Sequence, residues 1–75
     1  LFSRRYGQYN IRMNNLLPGF VDSYSVTDEI RNNIALEREA SVNEIANGVS
    51  FLLSEESKYI TGQNLIMDGS LVVKK

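Results

Sequence analysis

The chain has 75 residues, with 8 Lys or Arg against 9 Asp or Glu, a formal net charge of −1, and no His, Cys or Trp. Those counts exclude a thiol nucleophile, a disulfide staple, a Ser-His-Asp triad and a zinc site built on His or Cys. Only Arg4-Arg5 and Lys74-Lys75 are adjacent basic residues, so there is no stripe for nucleic acid. Apolar runs of at most three residues provide neither a membrane span nor a signal-peptide core.

Leu1-Phe2-Ser3-Arg4-Arg5-Tyr6-Gly7 opens without an initiator Met or an N-cap signal. Residues 1–9 therefore predict the tail of a helix closed by Gly7. A strand is expected over 10–17, where Ile11 and Met13 alternate with Arg12 and Asn14, and the Pro18-Gly19 turn completes the unit 10–19. Ser25 and Asp28 have the spacing of a capping box, and Asp28-Glu29 complement a helix N-terminus. They predict a short helix over 28–36 with Ile30 and Ile34 on one face.

The sharpest local signal is Ser41-Val42-Asn43-Glu44, a capping box that leads into Val42, Ile45, Ala46, Val49, Leu52 and Leu53 on one helical face. A helix over 41–54 is expected. Residues 55–63 form a polar connection, and residues 64–69 read as a strand closed by Asp68-Gly69, with a tail over 71–75. Strand, helical crossover and strand make a βαβ unit, so the class is α/β with parallel strands. Two parallel strands enclose too little core to stand alone. There is no internal repeat or low-complexity linker, and cytoplasm is the expected setting.

Taken in order, several pieces resemble the C-terminal segment of the short-chain dehydrogenase/reductase family. They are Tyr6-Gly7, Asn10-Ile11-Arg12-Met13-Asn14, Pro18-Gly19-Phe20-Val21-Asp22-Ser23, Glu44-Ile45-Ala46, Phe51-Leu52-Leu53-Ser54, Tyr59-Ile60-Thr61-Gly62-Gln63 and Met67-Asp68-Gly69. The resemblance covers nearly the whole chain. It implies the C-terminal part of a doubly wound, Rossmann-type parallel sheet, with residues 20–40 as a substrate lid. It also implies an NAD- or NADP-dependent oxidoreductase that moves hydride between nicotinamide and an alcohol or ketone.

That chemistry needs a Ser and a Tyr-x-x-x-Lys pair, and the dinucleotide needs a Gly-rich turn after the first strand. None of these is present: four residues after Tyr6, Tyr9, Tyr24 and Tyr59 stand Asn10, Met13, Asp28 and Gln63. The segment thus has no catalytic residue of its own, and the missing set is expected upstream in a longer protein. The alternative expectation is an inactive truncated relative that serves as an oligomerisation or interaction module.

The resemblance assigns Pro18, Gly19, Val21 and Ser23 to the cofactor. Main-chain groups of Val21 would meet the nicotinamide carboxamide, and Ser23 would supply a hydroxyl where the family usually has Thr. Read without it, Pro18-Gly19 merely ends a strand. Tyr24, Ile30 and Ile34, with Leu36, are candidates for the lid's apolar lining, against the plainer reading of a surface helix with one buried stripe. Asn14 is a candidate brace for its strand. The pairs Asp28-Glu29 and Glu55-Glu56 point in divergent directions, which suits solvated caps better than acid–base work.

The implied partners are a small alcohol or ketone and a second copy of the chain, bound through helix 41–54 and the last strand, with no metal, nucleic acid or membrane. Asp68-Gly69-Ser70 departs from the second Gly that relatives often carry, which leaves the turn geometry at Ser70 open.

Overall fold

The computed structural model describes residues 1–71, and the expected tail beyond Leu71 lies outside the described residues. In chain order the elements are helix α1 (Phe2–Tyr6), a 3₁₀ turn (Gly7–Tyr9), strand β1 (Asn15–Pro18), helix α2 (Asp28–Asn32), helix α3 (Val42–Leu53), a second 3₁₀ turn (Glu55–Ser57) and strand β2 (Asn64–Met67). β1 and β2 are hydrogen-bonded neighbours and run parallel, in register from Asn15 opposite Asn64 to Pro18 opposite Met67. The α/β class and the parallel crossover unit are therefore as the sequence implies.

The first turn of the chain closes later than expected. Gly7 stays right-handed at φ −58°, α1 tightens into the 3₁₀ turn, and the left-handed reversal falls on Asn10 at φ 59°. Asn tolerates that conformation because its short polar side chain bonds locally.

β1 also begins later than residue 10. Over residues 11–14 side chains replace part of the ladder: Asn14 Nδ2 donates to Ile60 O (3.0 Å), and Asn14 Oδ1 accepts from Gln63 N–H (3.0 Å). Thr61 Oγ1 accepts from Met13 N–H at 3.2 Å. Arg12 donates from Nη1 to Ile60 O and from Nη2 to Leu52 O, both at 2.9 Å, so one guanidinium ties this run to the last turn of α3. The alternation of Ile11 and Met13 buries neither, since they are 44% and 48% exposed.

α2 is five residues long, not nine, and its cap is Thr27, not Ser25: Thr27 Oγ1 accepts from Ile30 N–H at 3.2 Å. The helix stops because the chain from Ile34 is drawn elsewhere. Ile34 bridges Leu71 in antiparallel sense, and the N–H groups of Ala35 and Leu36 donate to Ser70 O and Gly69 O, both at 3.1 Å. Ile34 and Val26, 2% and 8% exposed, are the buried apolar side chains among the described residues. Ile30 and Ile34 consequently share no helical face.

α3 has the reciprocal capping box that Ser41 and Glu44 predict, with both bonds formed. Its contact face differs from the expected one. Gly48 is buried there, flanked by half-buried Ile45 and Leu52, whereas Val42, Val49 and Leu53 are 53%, 44% and 80% exposed. A Cβ at Gly48 would collide with the Met67 sulfur and stand 3.1 Å from Leu16 Cδ1. Lacking one, α3 settles directly onto both strands. At its other end the fully buried Ser57 hydroxyl donates to Leu52 O and Ser54 O (3.0 and 3.2 Å), satisfying terminal carbonyls. No helix among the described residues is long and apolar enough to cross a membrane.

Candidate functional site

Both strands point their C-terminal ends at one region, where parallel sheets of this kind place their ligands. Pro18 closes β1 opposite Met67, and Gly19 N–H then donates to Met67 O at 3.0 Å. A Cβ on Gly19 would lie 2.9 Å from both Cα and Cβ of Asp68, so a larger residue would push the two strand ends apart.

Past this pinch the chain is fixed from one side. Ala40 N–H donates to Phe20 O and Asp22 N–H donates to Ala40 O, each at 2.9 Å, in a parallel bridge between Val21 and Ala40. In such a bridge the flanking residues of one strand make both bonds, so the N–H and C=O of Val21 itself face the opposite side. Together they form a donor and an acceptor side by side, the complement of a planar carboxamide. Ser23 is exposed two residues on, and Tyr24, half exposed, stands edge-on to Phe20 with ring centroids 6.4 Å apart.

Asp22, which carries no local capping signature, secures the same segment from its side chain: Oδ1 accepts from Val42 N–H at 3.2 Å, capping the first turn of α3. No spacing rule marks it, because the bond spans twenty residues.

Beside these strand ends is a pocket of about 190 Å³ lined by Phe20, Leu36, Arg38, Ile45, Met67, Gly69 and their neighbours. Of the lid residues named from the sequence, Leu36 reaches it. Tyr24, Ile30 and Ile34 are absent from its lining, and Ile34 instead packs Cγ2 against Gly69, a position at φ +64° that has no room for a Cβ. Ser70 also takes positive φ (63°), held by its N–H bond to Asp68 Oδ1 at 2.9 Å, which resolves the geometry of the Asp68-Gly69-Ser70 turn.

Two arginines organise the segment that leads to α3. Arg31 donates from Nε and Nη2 to the two carboxylate oxygens of Glu39 (3.1 and 2.9 Å) and from Nη1 to Asp28 (2.7 Å). Arg38 makes a bidentate pair with Glu44 at 2.7 and 2.9 Å. Both glutamates are lowered from the ordinary carboxylate value to about 2. For Glu44 the Arg38 hydrogen bond is the main cause, followed by the Ser41 N–H; for Glu39 it is the Arg31 bond, followed by a main-chain bond. Both groups stay ionised at neutral pH and cannot exchange protons there.

Comparison with known proteins points one way. A family profile described as enoyl-(acyl carrier protein) reductase matches residues 1–71. The chain is 40% identical, over 92% of its length, to 31% of the 3-oxoacyl-(acyl-carrier-protein) reductase FabG of Chlamydia trachomatis. It superposes on a short-chain dehydrogenase from Bacillus anthracis with a TM-score of 0.89 at 27% identity, covering 99% of this chain and 32% of the other. It also superposes on YwfH, an NADPH-dependent reductase involved in bacilysin biosynthesis, with a TM-score of 0.85 at 33% identity, covering 99% and 35%. The chain thus spans about a third of the length of the relatives it matches.

Proposed function

The chain belongs to the short-chain dehydrogenase/reductase family, and on that premise we propose that its protein is a nicotinamide-dependent oxidoreductase that interconverts an alcohol and a ketone. The observation that carries this reading is the outward-facing N–H and C=O of Val21, held by the Val21–Ala40 bridge at the C-terminal end of β1. NAD or NADP would supply the hydride.

The residues here bind and orient. Pro18 and Gly19 end the strand at a fixed height, Val21 would hold the carboxamide from both of its polar sides, and Ser23 would add a hydroxyl contact. Fixing the ring in one orientation is a large part of hydride transfer, since it presents one face to the carbonyl. Residues 20–40 would form the lid over substrate, with Tyr24, Ile30 and Ile34 shaping it from within and Leu36 at the pocket. The proton donor, a Tyr paired with Lys, would come from outside these 75 residues. The exposed face of α3 and the free side of β2 suit association with a second copy, in a cytoplasmic protein.

Because the Chlamydia relative is named for a 3-oxoacyl substrate, a 3-oxoacyl thioester is the first carbonyl to try. The test is the native gene product: its intact mass, a peptide map for Tyr-x-x-x-Lys and a Gly-rich turn, and oxidation of NADH or NADPH with that thioester. A native product of this size, lacking those motifs and turning over neither cofactor, would leave the non-catalytic interaction module as the reading. In an active protein, Ser23→Ala should raise the cofactor KM by about 2- to 10-fold, the worth of one hydroxyl hydrogen bond, with the carbonyl KM unchanged.

A further inference from the structure

We propose that Glu44 is a positioning residue that latches the lid: through Arg38 it clasps the chain at residues 36–40 to the N-terminus of α3, and the latch sets how well substrate is held. The inference rests on reading residues 20–40 as the lid.

The geometry separates this stretch into two fixtures with a joint between them. On one side, Ala35 and Leu36 are tied by main-chain bonds to Ser70 and Gly69, and Ile34 is buried between them. On the other, Ala40 is bonded to Phe20 and Asp22. Between the two, Glu37 adopts φ 58°, a left-handed conformation that an L side chain rarely takes and that persists where neighbours hold it.

Glu37 N–H donates to Ile34 O at 2.8 Å, which holds the joint on its N-terminal side, and Arg38 holds it on the other. Its Nη1 and Nη2 reach both carboxylate oxygens of Glu44, and Nη1 also donates to Glu39 O at 3.2 Å. Glu44 Oε1 in turn accepts from Ser41 N–H at 2.9 Å, so one carboxylate serves the lid and the helix cap together. Arg38 and Glu44 both line the pocket at the strand ends, and the side chains are 53% and 42% exposed. The main-chain fixtures open only with local unfolding, whereas this pair is within reach of water and salt. It is the part of the lid made to release.

Two substitutions separate the latch from the cap. Glu44→Gln keeps an acceptor for Ser41 N–H, since Gln also closes a capping box, but it loses the charge pair. Arg38→Met removes the same pair from its other end and keeps both capping-box residues, Ser41 and Glu44. In the native gene product, hydrogen exchange at amides 37–39, between the two fixtures, should quicken by about 1.5- to fivefold in both variants, the range of a half-exposed ion pair. The carbonyl KM should rise by a similar factor as the competent lid population falls, with the cofactor KM held. Raising salt to about 1 M should bring wild type toward the variants.

Unchanged exchange at 37–39 in both variants overturns the latch, and so does faster exchange with an unmoved carbonyl KM. If the wild-type protein turns over no carbonyl substrate, it is the oxidoreductase reading that fails, and exchange alone then decides whether the latch exists.

Discussion

Gly48 occupies the point where a helix facing a sheet would ordinarily place a large apolar side chain. Glycine at mid-helix costs about 1 kcal/mol against alanine, and here the cost is offset by the closeness of α3 to Leu16 and Met67. An added methyl would meet both, and overpacking of this kind costs about 1–3 kcal/mol. Gly48→Ala in the native gene product should therefore lose about 1 kcal/mol net, read from the urea midpoint. In a Met67→Ala background the same change should be neutral or gain up to ~1 kcal/mol. Equal losses in the two backgrounds would mean that the Met67 contact is not the reason. The residue was invisible to a periodicity count, because a glycine adds nothing to an apolar stripe even when it marks the centre of the contact.

At the scale of elements, legibility follows distance along the chain. The Ser41–Glu44 box, the extent of α3 and strand β2 depend on residues three or four apart or on short runs, and all were readable. The shortening of α2, the late start of β1, the Asp22 cap and the Arg38–Glu44 pair depend on partners brought close by the fold, and none was. The cofactor segment falls between: Pro18-Gly19 announced a turn, but the outward direction of Val21 exists only through its bridge to Ala40.

The cap of α3 is testable directly. In the native gene product Ser41→Ala should cost about 1 kcal/mol, and an unchanged thermal midpoint would count against the cap. Glu39 and Glu44 also link stability to pH. Each is lowered to about 2 in the folded protein from an ordinary value of 4.5, so the folded state binds fewer protons than the unfolded one. Their contribution is complete above about pH 4.5 and is lost as pH falls toward 2. Replacing Arg38 by Met should flatten part of that loss in urea midpoints taken across the window. A slope identical to wild type would exclude Glu44 from it.

Across the whole molecule, the accessible surface of 6108 Å² exceeds the roughly 4,700 Å² typical of a folded chain of this mass. Leu17, Leu53, Tyr59 and Ile66 are 42%, 80%, 101% and 60% exposed. These surfaces sit on both strands, on α3 and on the turn after it, and they are left uncovered by the described residues. The 75 residues expressed alone should therefore show no cooperative thermal transition by circular dichroism. A sharp, reversible melt would establish a self-sufficient domain. The register that pairs Asn15 with Asn64 also has a consequence on the ribosome. At about 5–20 residues per second, β1 emerges roughly 2.5–10 s before its partner exists. During that interval Leu16 and Leu17 have no β2 beside them, so β1 waits unpaired while α2 and α3 are made.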